Sequence, residues 1–117
     1  MAAPNIVNVS SVYGKTAVAT LSTSTTDIVT NSAGSGTVLK INSLYISNFN
    51  TVSVAANVVF NRSSTTYSLA PGSAVPAFST LTVIGKDTAI YLEEGDILQA
   101  NATATSAQLV CSYEIIG

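Results

Sequence analysis

The stretch A-I-Y-L-E-E-G-D-I-L-Q-A-N-A-T-A, residues 89–104, decides the fold class. Two apolar runs, I-Y-L and I-L, flank a polar corner at residues 93–96, where Gly95 permits a positive φ and Asp96 can bond to its own backbone. The residues after the corner alternate as on a half-buried strand, with Leu98, Ala100, Ala102 and Ala104 on one face and Gln99, Asn101 and Thr103 on the other. The stretch therefore predicts a hairpin of two β-strands around an acidic turn.

Similar alternation recurs along the chain, and no segment shows a convincing helical period. The cleanest series predicts a central strand and comprises Val52, Val54, Ala56, Val58 and Phe60. A change of parity near Asn42 and Ser43 predicts a β-bulge, or a bend that moves a strand from one sheet to the next. Residues 70–77 contain Pro71 and Pro76 and are expected to form a surface loop or a crossover, because proline cannot donate to a sheet ladder.

These patterns predict about nine short strands separated by turns, and hence an all-β chain. The expected fold is an antiparallel β-sandwich, either jelly-roll or immunoglobulin-like, and the sequence leaves that choice open. The chain has 117 residues, which suffice for a single core. Residues 15–117 are therefore expected to form one β-sandwich domain, and residues 1–14 an N-terminal arm.

Charge is scarce in this chain. Charged residues make up 9% of the sequence and the formal net charge is −2, whereas soluble domains contain about 25% charged residues. The cations Lys15, Lys40, Arg62 and Lys86 are scattered, so nucleic acid is not expected as a partner. A membrane is not expected either, since no run of about 18 apolar residues occurs. The N-terminal residues lack the pattern of a secretory signal, which predicts synthesis in a cytoplasm.

Few groups that could perform chemistry are present. The chain has no histidine and a single cysteine, Cys111. This excludes histidine-dependent triads, the usual zinc sites and an intrachain disulfide. Cys111 lies in an apolar β pattern and is predicted to be a buried, inert thiol. Because no glycine-rich phosphate loop occurs either, we expect neither an enzyme nor a cofactor.

The acidic corner is the remaining candidate site. Glu93, Glu94 and Asp96, with Asp87 nearby in sequence, could supply oxygen ligands to a calcium ion. Such a site would suit a calcium-dependent carbohydrate-binding β-sandwich. The alternative is a solvated turn, in which the acids keep the corner exposed and protect the strand ends from edge pairing. We prefer the solvated turn and expect no bound metal.

The scarcity of charge also predicts a protein that works in contact with other proteins. Charge repulsion keeps free soluble proteins apart, and this chain has little of it. Copies of itself are expected as partners in a cyclic homo-oligomer, with a trimer as the first expectation. The expected contact elements are the apolar arm, the loop at residues 31–36 and the proline-containing segment. The assembly residues predicted within the arm and that segment are Pro4, Ile6, Val7, Val9, Pro71 and Pro76.

Four segments carry a resemblance to a known family. In chain order they are A-A-P-N-I-V-N-V, G-K-T-A-V-A, T-A-I-Y-L-E-E-G-D and V-C-S-Y-E-I-I. They resemble small virion structural proteins of tailed phages that infect marine cyanobacteria, and none of them marks a reaction. The resemblance implies a non-enzymatic β-sandwich located in the virion. It would be a capsid decoration (cement) protein that bridges capsomers of the major capsid protein or, alternatively, a neck or tail-fibre attachment module.

Overall fold

A computed structural model of the chain describes residues 11–117, apart from the side chain of Lys86. Most of the expected arm, with Pro4, Ile6, Val7 and Val9, therefore lies outside the described residues. Within residues 11–117 the elements are nine strands and one short 3-10 helix: β1 (Val12–Thr20), β2 (Thr26–Thr30), β3 (Val38–Asn48), β4 (Val54–Arg62), β5 (Thr65–Val75), β6 (Thr80–Ile84), the helix (Lys86–Thr88), β7 (Ile90–Leu92), β8 (Ile97–Ala102) and β9 (Ala107–Ile116). Since β1 begins at Val12, residues 12–14 belong to this strand.

The strands form two antiparallel sheets whose order identifies the fold. In the first sheet the order is β1-β9-β3-β6, with β7 also paired to β3, and in the second it is β2-β8-β4-β5. Strands β6 and β7 pair with successive parts of β3 and together form one interrupted edge strand. Apart from that interruption and the β4–β5 hairpin, each connection passes from one sheet to the other. This is a jelly roll, so the all-β sandwich is confirmed and the choice left open by the sequence is resolved.

The stretch that decides the fold class forms two strands but no hairpin. Strand β7 pairs with β3 in the first sheet, and β8 pairs with β2 and β4 in the second. Residues 93–96 are therefore the corner at which the chain crosses between the sheets. Leu92 and Leu98, on either side of the corner, are both fully buried between the sheets. An alternating pattern specifies which side chains face the core, and a hairpin and a crossing corner meet that condition equally well.

The predicted bulge in β3 is confirmed, but the predicted change of sheet is wrong. The register between β3 and β9 shifts between Ile41 and Ser43, so that one extra residue, Asn42, is accommodated on β3. The shift returns Leu44 to the buried face that Ile41 also occupies. Because the extra residue alone accounts for the change of parity, β3 remains paired with β9 in one sheet along its whole length.

The central strand is confirmed, whereas the expected loop at residues 70–77 is largely an edge strand. Strand β4 lies between β8 and β5, although Val52 precedes it and is 59% exposed. Strand β5 runs through Pro71 and ends at Val75. It tolerates the proline because it is the edge of its sheet and is bulged there. Gly72 has a φ of 63° and donates its N–H to Asn57 Oδ1 at 2.7 Å.

One core fills the space between the two sheets. Its largest fully buried aliphatic side chains are Leu21, Ile41, Leu44, Ile46, Leu92, Leu98 and Leu109. Cys111 on β9 is buried among them, as the sequence predicts. No helix within the described residues is long or apolar enough to cross a membrane.

The free energy of unfolding is expected to fall as the pH rises from about 9 to about 11, because of the buried thiol of Cys111. Burial raises the pKa of the Cys111 thiol from 9.0 to about 11. The unfolded chain therefore releases this proton first, so the thiol's contribution is complete below pH 9 and is lost as the pH rises through 11. The expected loss is about 2 to 3 kcal/mol of unfolding free energy.

Urea unfolding of the wild type and of Cys111→Ala at pH 8 and pH 11 measures this loss. The two proteins differ only at this residue, so the difference between their pH dependences isolates the thiol. An equal loss in the two proteins would contradict the prediction. Rapid reaction of the native thiol with an aromatic disulfide reagent at pH 8 would also contradict it, since a buried neutral thiol is a poor nucleophile.

Candidate functional site

The loops that connect the strands lie at the two ends of the jelly roll, and the two ends differ in charge. One end contains the loops at residues 31–37, 63–64 and 93–96, and we call it the charged end. The other contains the loops at residues 21–25, 49–53, 76–79 and 103–106, and we call it the uncharged end. Antiparallel strands that cross between two sheets bring these sets together from distant parts of the sequence.

The charged end is built on an ion pair between a buried aspartate and an arginine whose side chain is 38% exposed. Asp96 is completely buried. Arg62, from the end of β4, donates from Nε to Asp96 Oδ1 at 3.0 Å and from Nη2 to Oδ2 at 2.6 Å. The backbone N–H of Glu93 donates to the same Oδ2 at 2.7 Å, and the Glu93 carboxylate lies 2.9 Å from Arg62 Nη2. The hydrogen bond to Asp96 raises the pKa of Arg62, and the guanidinium also lies 5.0 Å from the centre of the Phe60 ring.

The loop at residues 31–37 is bound to this corner. Asn31 is buried, and its Nδ2 donates to the carbonyl oxygens of Thr37 and Leu92, each at 2.9 Å. The backbones of the loop and the corner are also joined, since Asn31 N donates to Asp96 O at 3.0 Å and Gly95 N donates to Asn31 O at 2.7 Å. A loop held by this many bonds has little conformational freedom to lose on contact with a partner.

These contacts change the interpretation of the acidic corner. Asp96 is not solvated, so the solvated turn is wrong for that residue, while Glu93 and Glu94 are half-buried. Asp87 is exposed in the 3-10 helix and is separated from the corner by β7. Within the described residues, no three acidic, histidine or cysteine side chains come together as a possible metal site. Calcium binding, the less favoured alternative from the sequence, would require Asp96 to exchange the guanidinium of Arg62 for the ion.

The uncharged end has the opposite composition. Its four loops read L-S-T-S-T, F-N-T-V-S, P-A-F-S and T-A-T-S, and none of them contains an ionisable side chain. Three large apolar side chains are nevertheless exposed there: Phe49 is 55% exposed, Val52 59% and Phe78 71%. An exposed apolar cluster surrounded by hydroxyl and amide groups is typical of a protein–protein contact.

A buried asparagine fixes the shape of the uncharged end. Asn48 Nδ2 donates to Val52 O at 2.8 Å, to Val75 O at 3.0 Å and, more weakly, to Pro76 O at 3.4 Å. Its Oδ1 accepts the N–H of Asn50 at 3.0 Å and the hydroxyl of Ser106 at 3.2 Å. The Asn48 side chain therefore hydrogen-bonds to three of the four loops. The surface that carries Phe49, Val52 and Phe78 is thus preorganised.

Phe78 combines exposure with an unfavourable backbone conformation. Its φ is +53°, in the left-handed region that bulky residues rarely adopt. Such a conformation costs about 1 to 2 kcal/mol for a residue other than glycine. Glycine would avoid that cost, and a side chain that is 71% exposed contributes little to the core. Strain of this kind is concentrated at functional sites. Here the strained residue carries an aromatic ring that is exposed to solvent.

The structure places the predicted assembly residues in different regions. Pro76 is exposed at the uncharged end, Pro71 is exposed on edge strand β5, and the loop at residues 31–36 lies at the charged end. The exposed side chains at the uncharged end, Phe49, Val52 and Phe78, were not among the residues predicted from the sequence. The available signal was an aromatic or aliphatic residue inside a turn segment, next to small polar residues, where no core position is expected.

Comparisons with known proteins bear on the fold. No protein-family model matches the chain, and no curated protein matches it. Two solved structures are similar to it over 94% of its length, each with a TM-score of 0.55. One was described for the triple jelly-roll fold and turret assembly of an archaeal virus, at 22% identity, and the other for the atomic structure of Sulfolobus turreted icosahedral virus, at 23% identity. The chain spans 30% of the length of each matched viral chain. The likeness agrees with the jelly roll that the strand order defines.

Proposed function

We propose that this chain is a non-enzymatic structural protein of a virion, and that it acts as a capsid decoration (cement) protein. The observation that carries the proposal is the uncharged end, where Phe49, Val52 and Phe78 protrude from loops without any ionisable side chain. The likeness to jelly-roll chains of a virus supports a location in the particle. In this role the protein binds the major capsid protein and bridges neighbouring capsomers.

The physical basis of this binding is the burial of apolar surface by a rigid patch. Each large apolar side chain that is transferred from water into a contact contributes about 1.5 to 3 kcal/mol. The hydrogen bonds of Asn48 already fix the loops, so little conformational entropy is lost on binding. Because the patch carries no charge, we expect its affinity to depend only slightly on salt, unlike that of a contact based on exposed ion pairs.

A second location in the particle is favoured by one observation. One of the similar structures was described with a turret assembly, and the present chain corresponds to 30% of that viral chain. A single jelly roll of this kind would also suit an appendage, such as a neck or tail-fibre attachment module. The same uncharged end would then bind an appendage protein in place of the capsid shell.

The number of copies in each particle distinguishes the two locations. Purified virions of the virus that encodes the chain can be analysed by quantitative gel densitometry against the major capsid protein. A decoration protein is expected in hundreds of copies and a neck or tail component in a few to tens, because these structures occur once per particle or at few positions. Absence of the chain from purified virions would refute both.

Substitution of Phe78 is expected to weaken particle binding strongly without loss of stability. Phe78→Gly removes the exposed ring and relieves the left-handed backbone conformation, so the melting temperature should be unchanged or slightly higher. Binding to virions that lack the protein should weaken by more than about tenfold, as for the loss of a buried aromatic anchor. Co-sedimentation with these particles measures the affinity.

Tyr91→Ser is the matched control for this experiment. Tyr91 is an aromatic residue that is 41% exposed, but it lies on β7, far from the uncharged end in the topology. Its substitution should leave binding within about twofold, as expected for surface positions outside the contact. Wild-type affinity of Phe78→Gly, or equal losses for the two variants, would show that the uncharged end is not the contact surface.

A further inference from the structure

We propose that β1 pairs antiparallel with β1 of a second copy about a two-fold axis at Thr16, which joins the two first sheets into one continuous sheet. This contact uses a strand edge and is separate from the uncharged end, so it does not depend on the proposed function. It rests on a comparison of the four sheet edges, on the side chains that this pairing brings together, and on the surface beside β1.

The two edges of the second sheet are both protected against pairing. Strand β2 has five residues, carries Asp27 and shifts its register between Asp27 and Val29. Strand β5 is longer, but its register against β4 shifts twice, and Pro71 removes a donor from the edge. Short length, charge, bulges and proline are the usual means by which an exposed edge avoids binding another strand.

The first sheet has one protected edge and one open edge. The edge opposite β1 is interrupted between β6 and β7 by the 3-10 helix, and β6 shifts its register against β3. Strand β1, in contrast, pairs with β9 without a shift through all nine residues, from Val12 opposite Ile116 to Thr20 opposite Gln108. Among the edges of the described residues, β1 is thus the one that presents a long, regular backbone without bulge or proline.

The sequence of β1 is complementary to itself in one particular register. With Thr16 opposite Thr16, the pairs are Val12 with Thr20, Tyr13 with Ala19, Gly14 with Val18, and Lys15 with Ala17. The only charged residue of the strand, Lys15, then faces Ala17, so the two copies of Lys15 are not directly opposite but are diagonal neighbours about 7 to 8 Å apart. Tyr13 faces Ala19 and Val18 faces Gly14, so two of the three exposed large side chains of the strand lie across from a small residue, and the third, Val12, faces Thr20.

Exposure and surface shape agree with this register. Val12, Tyr13 and Val18 are 52%, 61% and 73% exposed, which leaves an unusual amount of apolar surface on one strand. A shallow depression of about 290 Å³ lies beside the end of β1 and is lined by residues 18–20 and 108–110. In the proposed dimer, Val12 of the second copy comes opposite Thr20, at the border of this depression.

The proposed contact is isologous, because the same strand is used on both sides of a two-fold axis. It closes after two copies and therefore predicts a dimer, in place of the trimer that is the first expectation from the sequence. A ten-stranded sheet would result, since each copy contributes five strands to its first sheet. Both uncharged ends remain accessible, as β1 contributes no residue to their loops.

A cysteine experiment tests both the contact and its register. Residues directly opposite in an antiparallel pair have Cα atoms about 4.5 to 5.5 Å apart, within the range that a disulfide spans. Thr16→Cys should therefore give a disulfide-linked dimer under mild oxidation. Val18→Cys is the control, because in this register the two Val18 positions are about 14 Å apart. The native Cys111 is buried and should not interfere.

A charge experiment provides a second readout that needs no covalent bond. Thr16 is exposed, so Thr16→Lys and Thr16→Glu should both fold, and each alone opposes like charges at the axis. Sedimentation should show self-association weakened about fivefold in each variant, and a mixture of the two should associate at least as well as the wild type. Equal cross-linking of Thr16→Cys and Val18→Cys, no cross-linking of either, or a mixture that remains monomeric would each overturn the proposal.

Discussion

Replacing Arg62 with methionine is expected to lower the free energy of unfolding by about 2 to 3 kcal/mol, less than for a fully buried pair because the Arg62 side chain is 38% exposed. Asp96 has no exposed surface, and Arg62 provides two hydrogen bonds and a positive charge to its carboxylate. Methionine keeps much of the side-chain volume but leaves a buried carboxylate without its counter-charge. Urea denaturation at pH 7 measures the loss.

A double variant separates the ion pair from simple packing. Asp96→Asn in the Arg62→Met background removes the uncompensated charge and keeps an acceptor for the Glu93 N–H. We therefore expect the double variant to be more stable than Arg62→Met alone, since removal of both charges costs less than removal of one. Asp87→Asn, at an exposed position in the 3-10 helix, is the control and should change stability by less than about 0.5 kcal/mol. A double variant that is less stable than the single one would contradict this account of the charged end.

Asn48→Ala is expected to destabilise the chain by about 3 kcal/mol and to loosen the uncharged end. The change removes both donors and the acceptor that connect three loops, and it leaves the carbonyl of Val75 without this partner in a buried place. Chemical denaturation measures the stability. Hydrogen exchange should show faster exchange of the Asn50 amide, whose acceptor is Asn48 Oδ1.

Asn101→Ala is the matched control for Asn48. Asn101 lies on β8 with its amide nitrogen 3.4 Å from the hydroxyl of Thr25, and its Oδ1 is buried without a hydrogen-bond partner among the described residues. Deleting this amide should cost less than about 1 kcal/mol, because it removes one long bond and an unsatisfied acceptor. Similar losses for the two variants would mean that Asn48 does not have the structural role assigned to it.

Burial patterns along single strands could be predicted from the sequence. The alternation at residues 97–102 and 54–60 identified the buried sides of β8 and β4, because a strand has a period of two whatever it pairs with. The burial of Cys111 followed from the same pattern. Sheet membership could not be predicted in this way, since β7 and β8 have the pattern of a hairpin and lie in different sheets.

The candidate site depended on contacts that no local pattern contains. The burial of Asp96 requires Arg62, which is 34 residues away in sequence. The uncharged end requires four loops that are adjacent only once the two sheets have assembled. Pro71 was assigned to a loop because proline is excluded from central strands, but the sequence does not show that β5 is an edge, where proline is accepted.

The backbone pairing of Ser11 with Gly117 has a practical consequence. Each of the two residues donates its N–H to the carbonyl of the other at 3.0 Å, beside β1 and β9 and at the charged end. A domain fused at position 117 would be attached at the charged end, opposite to Phe49 and Phe78 at the uncharged end. Gly117 itself must be kept in such a fusion, because an added Cβ would come 2.7 Å from Thr37 Cγ2. The fold is therefore suited to the display of a fused domain, because that domain and the exposed aromatic side chains lie at opposite ends.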